Sequence, residues 1–144
     1  MHQVARDLDK LISKELPEET ESKLGEMVSN SFRNERYSGN QKSKKWQHRK
    51  GQKKVRKRDR KNILVDEGIL AGSFETFSRK GESGISTPVP YAPVHNEGLK
   101  AGKGKGFKMP QRQIMPKPGE QSPVLTKHVF KFLDKKGDEI FNKR

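Results

Sequence analysis

The chain contains no cysteine, and that absence excludes disulfide frameworks, zinc ribbons and thiol catalysis together. Apolar residues are scarce as well. Only 28% of the 144 residues are hydrophobic and 7% aromatic, with a single tryptophan, whereas globular chains usually hold about 45–50% apolar residues. A core drawn from so few apolar side chains is small relative to its chain, so partner subunits are expected to supply part of the support. No run approaches the roughly 18 apolar residues of a membrane span, and the first residues lack the apolar stretch of a signal peptide. The expectation is one soluble domain over 1–144, made inside the cell and without a membrane partner.

Charge is abundant and unevenly spread. The formal net charge is +14. Residues 1–32 carry a net −3, residues 33–61 a net +12, and the remainder +5. Twelve of the twenty-one residues 41–61 are basic: Lys42, Lys44, Lys45, Arg49, Lys50, Lys53, Lys54, Arg56, Lys57, Arg58, Arg60 and Lys61. Self-repulsion within such a run favours an extended arm. The bland reading is solvated charge. The functional reading is contact with phosphate, where each neutralised charge releases a counterion, or with an acidic protein surface.

Around this arm the patterning predicts helices at both ends and a small sheet between them. Residues 1–36 read as two N-terminal helices. Val4, Leu8, Leu11 and Ile12 fall on one stripe, Pro17 interrupts it, and Leu24, Met27, Val28 and Phe32 repeat at helical spacing beyond it. Residues 37–62 form the basic arm. Residues 63–98 read as a short hairpin sheet, with a turn running into a strand after Leu70, a loop from Gly81 to Gly84, and a returning strand Ile85 to Val89 that Pro88 and Pro90 confine to an edge. Residues 99–121 read as a mobile basic hairpin or loop. In the segment 122–144, Ser122 is the expected N-cap of a helix that starts at Pro123 and carries Leu125, Val129, Phe132, Leu133, Ile140 and Phe141 as its apolar stripe, with Gly137 ending or kinking it. The fold class is therefore α+β.

Catalysis finds little support. His2, His48, His95 and His128 are far apart and lack a paired-ligand spacing. His95-Asn96-Glu97 would suit a metal-dependent nuclease only with further ligands that cannot be assigned. The run Gly102-Lys103-Gly104-Lys105-Gly106 lacks the strand, the helix and the Lys-Ser/Thr end of a phosphate-binding loop. The expectation is a protein that is not an enzyme, with no catalytic residues, cofactor or metal. Tyr91-Ala92-Pro93-Val94-His95-Asn96-Glu97-Gly98 instead reads as a buttressed turn in which Tyr91 and His95 stack and Gly98 takes a positive φ.

The order of short motifs carries more than any one of them. Phe32, Gly39 and Trp46 are followed by Ile63-Leu64-Val65-x-x-Gly68-x-Leu70-x-x-Ser73. Next comes Tyr91-Ala92-x-x-His95-Asn96-x-Gly98, then Met109-Pro110-x-Arg112-x-Ile114, and a C-terminal helix closes the series. Over roughly residues 20–141 this resembles the Mu-type phage virion morphogenesis proteins, also called tail completion proteins. It departs from their pattern at Glu67, where threonine is usual, at Ile114, where phenylalanine is usual, and in the unusually basic arm. The matching positions are Trp46, Gly68, Leu70, Ser73, Tyr91, His95, Gly98, Pro110 and Arg112.

The resemblance implies a non-enzymatic structural protein of the virion neck, assembled in the host cytoplasm. It implies an α+β fold and a six-fold or twelve-fold homo-oligomeric ring. That ring would join portal or connector proteins to tail-tube or terminator proteins, with packaged DNA in its channel as a further contact for the basic arm. Ordering such arms costs about 1–2 kcal/mol per residue, so it is expected to accompany binding. On the protein-partner reading, Trp46 is the expected docking anchor. The competing class is a basic nucleic-acid-binding protein, a DNA-packaging or ribosome-associated factor. It has only Tyr37 and Trp46 for base stacking near the arm, and no RNA-binding motif.

Overall fold

Pro17 lacks an amide hydrogen, so an α-helix passing through it leaves the Ser13 carbonyl without its donor. In the computed structural model, which describes residues 2–47, 69–102 and 106–142, the chain solves this without a break. Helix α1 (His2–Lys10) runs through a π turn, Leu11–Glu15, into α2 (Leu16–Asn34). The Leu16 amide donates to Leu11 O, and the vacant Ser13 carbonyl accepts the Gly81 amide at 3.1 Å from a distant hairpin. The widened turn also changes the helical phase. Leu11 is buried, while Ile12, expected on the same stripe, is 58% exposed.

Leu24, Met27, Val28 and Phe32 of α2 are all buried, as their spacing predicts. The helix stops at Glu35, which adopts a left-handed φ of 54°. There the Arg36 amide caps Ser31 O at 3.2 Å. Residues 36–45 then close into a small loop, bridged between Arg36 and Lys45. The Arg36 guanidinium holds this loop together by donating to Gln41 O at 3.0 Å and to Ser43 O.

Strands β1 (Glu75–Arg79) and β2 (Glu82–Ser86) form an antiparallel hairpin, with Thr76 opposite Ile85 and Phe77 opposite Gly84. The returning strand therefore begins earlier than the expected Ile85–Val89. The turn is the pair Lys80-Gly81, with Gly81 at φ 73°, and Gly84 lies within the strand. There the Phe77 ring occupies the space that a Cβ at Gly84 would fill, at 2.6 Å. Pro88, without an amide to donate, stands beyond the end of the strand. This hairpin lies on α2.

Helix α3 (Ala92–Glu97) ends at Gly98, whose φ of 69° is the left-handed C-terminal stop. A two-residue antiparallel pair follows, β3 (Lys100–Ala101) with β4 (Phe107–Lys108). The segment after Met109 differs from the mobile loop expected over 99–121. Ile114 is 1% exposed and Arg112 4%, so this stretch is a fixed wall of the interior. Helix α4 (Pro123–Phe141) begins at Ser122, whose hydroxyl accepts the Leu125 amide at 3.2 Å, and it continues through Gly137. It packs on α2 and α1, with His128 Nε2 2.9 Å from Glu19 Oε1. None of its residues is fully buried.

The α+β class thus holds, with α2 as the central element. Among the described residues no helix is long and apolar enough to cross a membrane. Arg49 to Lys61, the Ile63-Leu64-Val65 triplet and Gly68 lie outside the described residues.

Candidate assembly site

Val28, Phe32, Trp46, Leu70, Ala92 and Ile114 form one buried cluster. Phe32 lies edge-on to Trp46 with ring centroids 6.0 Å apart. Trp46 and Leu70 stand on either side of the basic segment 48–68. Both ends of that segment are thus fixed in one piece of core.

Buried polar groups lock the cluster in register. The Asn96 side-chain oxygen accepts the amides of Ile114 at 2.8 Å and Met115 at 3.0 Å. Ser31, inside α2, donates to Met27 O or Ile114 O, both at 3.0 Å, and accepts the Ser38 amide at the same distance. The Trp46 indole donates to Gln113 O at 3.1 Å. Arg112 donates through Nε at 3.0 Å and Nη2 at 2.9 Å to Gln47 O, the last carbonyl described before the basic segment. Its own amide donates to His95 O at 2.8 Å. Two charge-assisted hydrogen bonds on a single carbonyl make a strong fastening, although Gln47 itself is exposed.

The motif residues now have definite places. Ser73 donates to Leu70 O at 2.7 Å and shares a hydrogen bond of 2.6 Å with Thr87. Tyr91 is 44% exposed and meets the His95 ring edge-on at 6.0 Å. The Nδ1 of His95 is buried with no hydrogen-bond partner among the described residues. Burial, and secondarily the Arg112 charge, push the imidazole below its ordinary pKa. A Cβ at Gly98 would meet Gln111 Cβ at 3.0 Å. Pro110 precedes the buried stretch and is half-buried, and Lys42, Lys44 and Lys45 are exposed. Arg49, Lys50, Lys53, Lys54, Arg56, Lys57, Arg58, Arg60 and Lys61 are outside the described residues.

Trp46 is the main correction. Expected as an anchor for a partner, it is 5% exposed and packed inside its own chain. Its indole nitrogen is the only polar atom on a large apolar ring, and the Gln113 carbonyl satisfies it internally. Tyr37, the other aromatic expected to stack on bases, is 4% exposed.

The buried hydrogen-bonding roles of Asn96 and Ser31 escaped the sequence reading, which named Asn96 only as a motif position. Ser31 had a signal, since it lies one turn beyond Met27 on the apolar stripe. Also unforeseen is an apolar groove of about 620 Å³ between the end of β2, α3 and residues 114–118, walled by Pro88, Pro90, Pro93, Pro116 and Pro118. Among the described residues no three His, Asp or Glu side chains gather where a metal ion could sit.

Fold and site define a small α+β protein whose interior polar groups hold its loops, and the residue just before the basic segment, in fixed positions. The chain belongs to the phage virion morphogenesis family, whose model matches residues 1–134. Its role is accordingly structural, in the assembly of a bacteriophage virion. Comparison with curated proteins and with solved structures gives no match.

Proposed function

We propose that this protein is a non-enzymatic tail completion protein that forms a ring at the head-to-tail junction and joins the tail to the portal or connector. One observation carries the reading beyond the family. Trp46, Arg112 bound to Gln47 O, and Leu70 fix both ends of the most basic segment of the chain to a single rigid core. By chain length alone, a loop returning from residue 46 to residue 70 reaches at most about 40 Å from that root. Within that reach its charge is available to a neighbouring molecule. A six-fold or twelve-fold ring would repeat this arrangement around a channel.

The partner of the basic segment is an acidic surface of a neighbouring virion protein or the phosphates of packaged DNA. With Trp46 and Tyr37 inside the core, base stacking is not available from them. A DNA contact would therefore be electrostatic and independent of sequence. The test replaces Lys53, Lys54, Arg56, Lys57 and Arg58 by Gln and examines infected-cell lysates by electron microscopy. The expected result is DNA-filled heads lying beside unattached tails, with the wild-type protein localised to the neck by immunolabelling. Normal joining of heads to tails by this variant, or label elsewhere on the particle, would overturn the reading.

A further inference from the structure

We infer that the outer face of α4 in one copy docks in the proline-walled groove of the next copy, as a head-to-tail contact. Phe130 stands on that face, 62% exposed, with the exposed Lys127, Lys131 and Asp134 around it, a surround of net positive charge. A 19-residue helix with no fully buried residue is incompletely covered by its own subunit. The groove offers the complementary surface. Its lining is apolar apart from a few groups, and the ionisable one among them is Glu97, opposite in sign to the lysines flanking Phe130.

The prolines matter physically. Five wall residues have no backbone amide, so covering them buries five fewer donors that would otherwise need partners. Their fixed φ also means that little conformational entropy is lost on docking. A knob and a groove on different parts of one chain make a heterologous contact, which closes into a ring when the rotation permits. This inference rests on the ring reading and names its interface.

The absence of cysteine makes trapping clean. Ser86 lines the groove, Thr126 stands one turn from Phe130, and both are exposed. Full-length Ser86→Cys and Thr126→Cys proteins, mixed at high concentration and oxidised, should give a disulfide-linked heterodimer. A chain carrying both substitutions should give a ladder of covalent oligomers. Phe130→Ser should lower the trapped yield at least several-fold. Lys127→Glu with Lys131→Glu should lower it too, and Glu97→Lys in the partner should restore it. No heterodimer, or a yield indifferent to Phe130→Ser and to the charge reversals, overturns the interface. If the protein is nevertheless found as an oligomer at virion necks, only the interface falls. A protein absent from necks would instead remove the ring reading itself.

Discussion

At the scale of single residues, Asn96 has the largest task for its size. One side-chain oxygen accepts two adjacent amides, those of Ile114 and Met115, and no water replaces it readily at a residue 8% exposed. Asn96→Ala should therefore cost about 1–3 kcal/mol for each donor left unpaired, read as a fall in the denaturant midpoint. Gly98 is constrained differently. Alanine there would take a left-handed backbone, at about 1–2 kcal/mol, and press on Gln111. An unchanged melting temperature for Gly98→Ala would contradict the φ of 69°. His95 contributes a pH dependence on the acid side. Its folded-state pKa is lowered, first by burial and then by Arg112, so above the ordinary histidine value of about 6.5 the folded and unfolded chains are both neutral there. As pH falls below that value the unfolded chain takes up the proton first, and stability declines until the lowered folded value is passed. His95→Gln should flatten that part of the stability profile relative to wild type.

Among the elements, the terminal helices and the hairpin were legible in the sequence because their signals are local, whereas the six-residue helix α3 was read only as a buttressed turn. Four apolar residues at helical spacing sufficed for α2, and Ser122-Pro123 marked the start of α4. The hairpin register was not legible, because it depends on the Phe77 ring lying over Gly84, a contact across strands. Pro17 was read as an interruption between two helices, whereas the rod runs on through a π turn at Leu11–Glu15, and the carbonyl that the proline leaves vacant is met by the Gly81 amide, sixty-four residues away. Restoring an amide at that position with Pro17→Ala should let the helix compete for Ser13 O. Hydrogen exchange at Gly81 should then accelerate. The candidate site was half legible for the same reason. Gly98 and Arg112 belong to recognisable motifs, whereas the inward turn of Trp46 follows from the Gln113 carbonyl and the Phe32 ring, which only the folded chain brings to it.

For the molecule as a whole, the root of the basic segment has a consequence for integrity. The described residues before the basic segment, 2–47, and those after it, 69–102 and 106–142, are attached by contacts that do not depend on the peptide joining them. Ser31 meets Ile114, Trp46 meets Gln113, Arg112 meets Gln47, and Ser122 meets the Gly39 carbonyl at 2.6 Å. The Gly81 amide adds a further tie to the first helical rod, as does the contact of His128 with Glu19. The protein is in this sense already a pair of complementary fragments. Two pieces, 1–52 and 62–144, should separate in denaturant yet travel as one species on a native column when mixed. Expressed from separate genes, the same halves should find each other and rebuild a single subunit, which makes the linker a place where the chain can be opened, lengthened or replaced without dismantling what it connects.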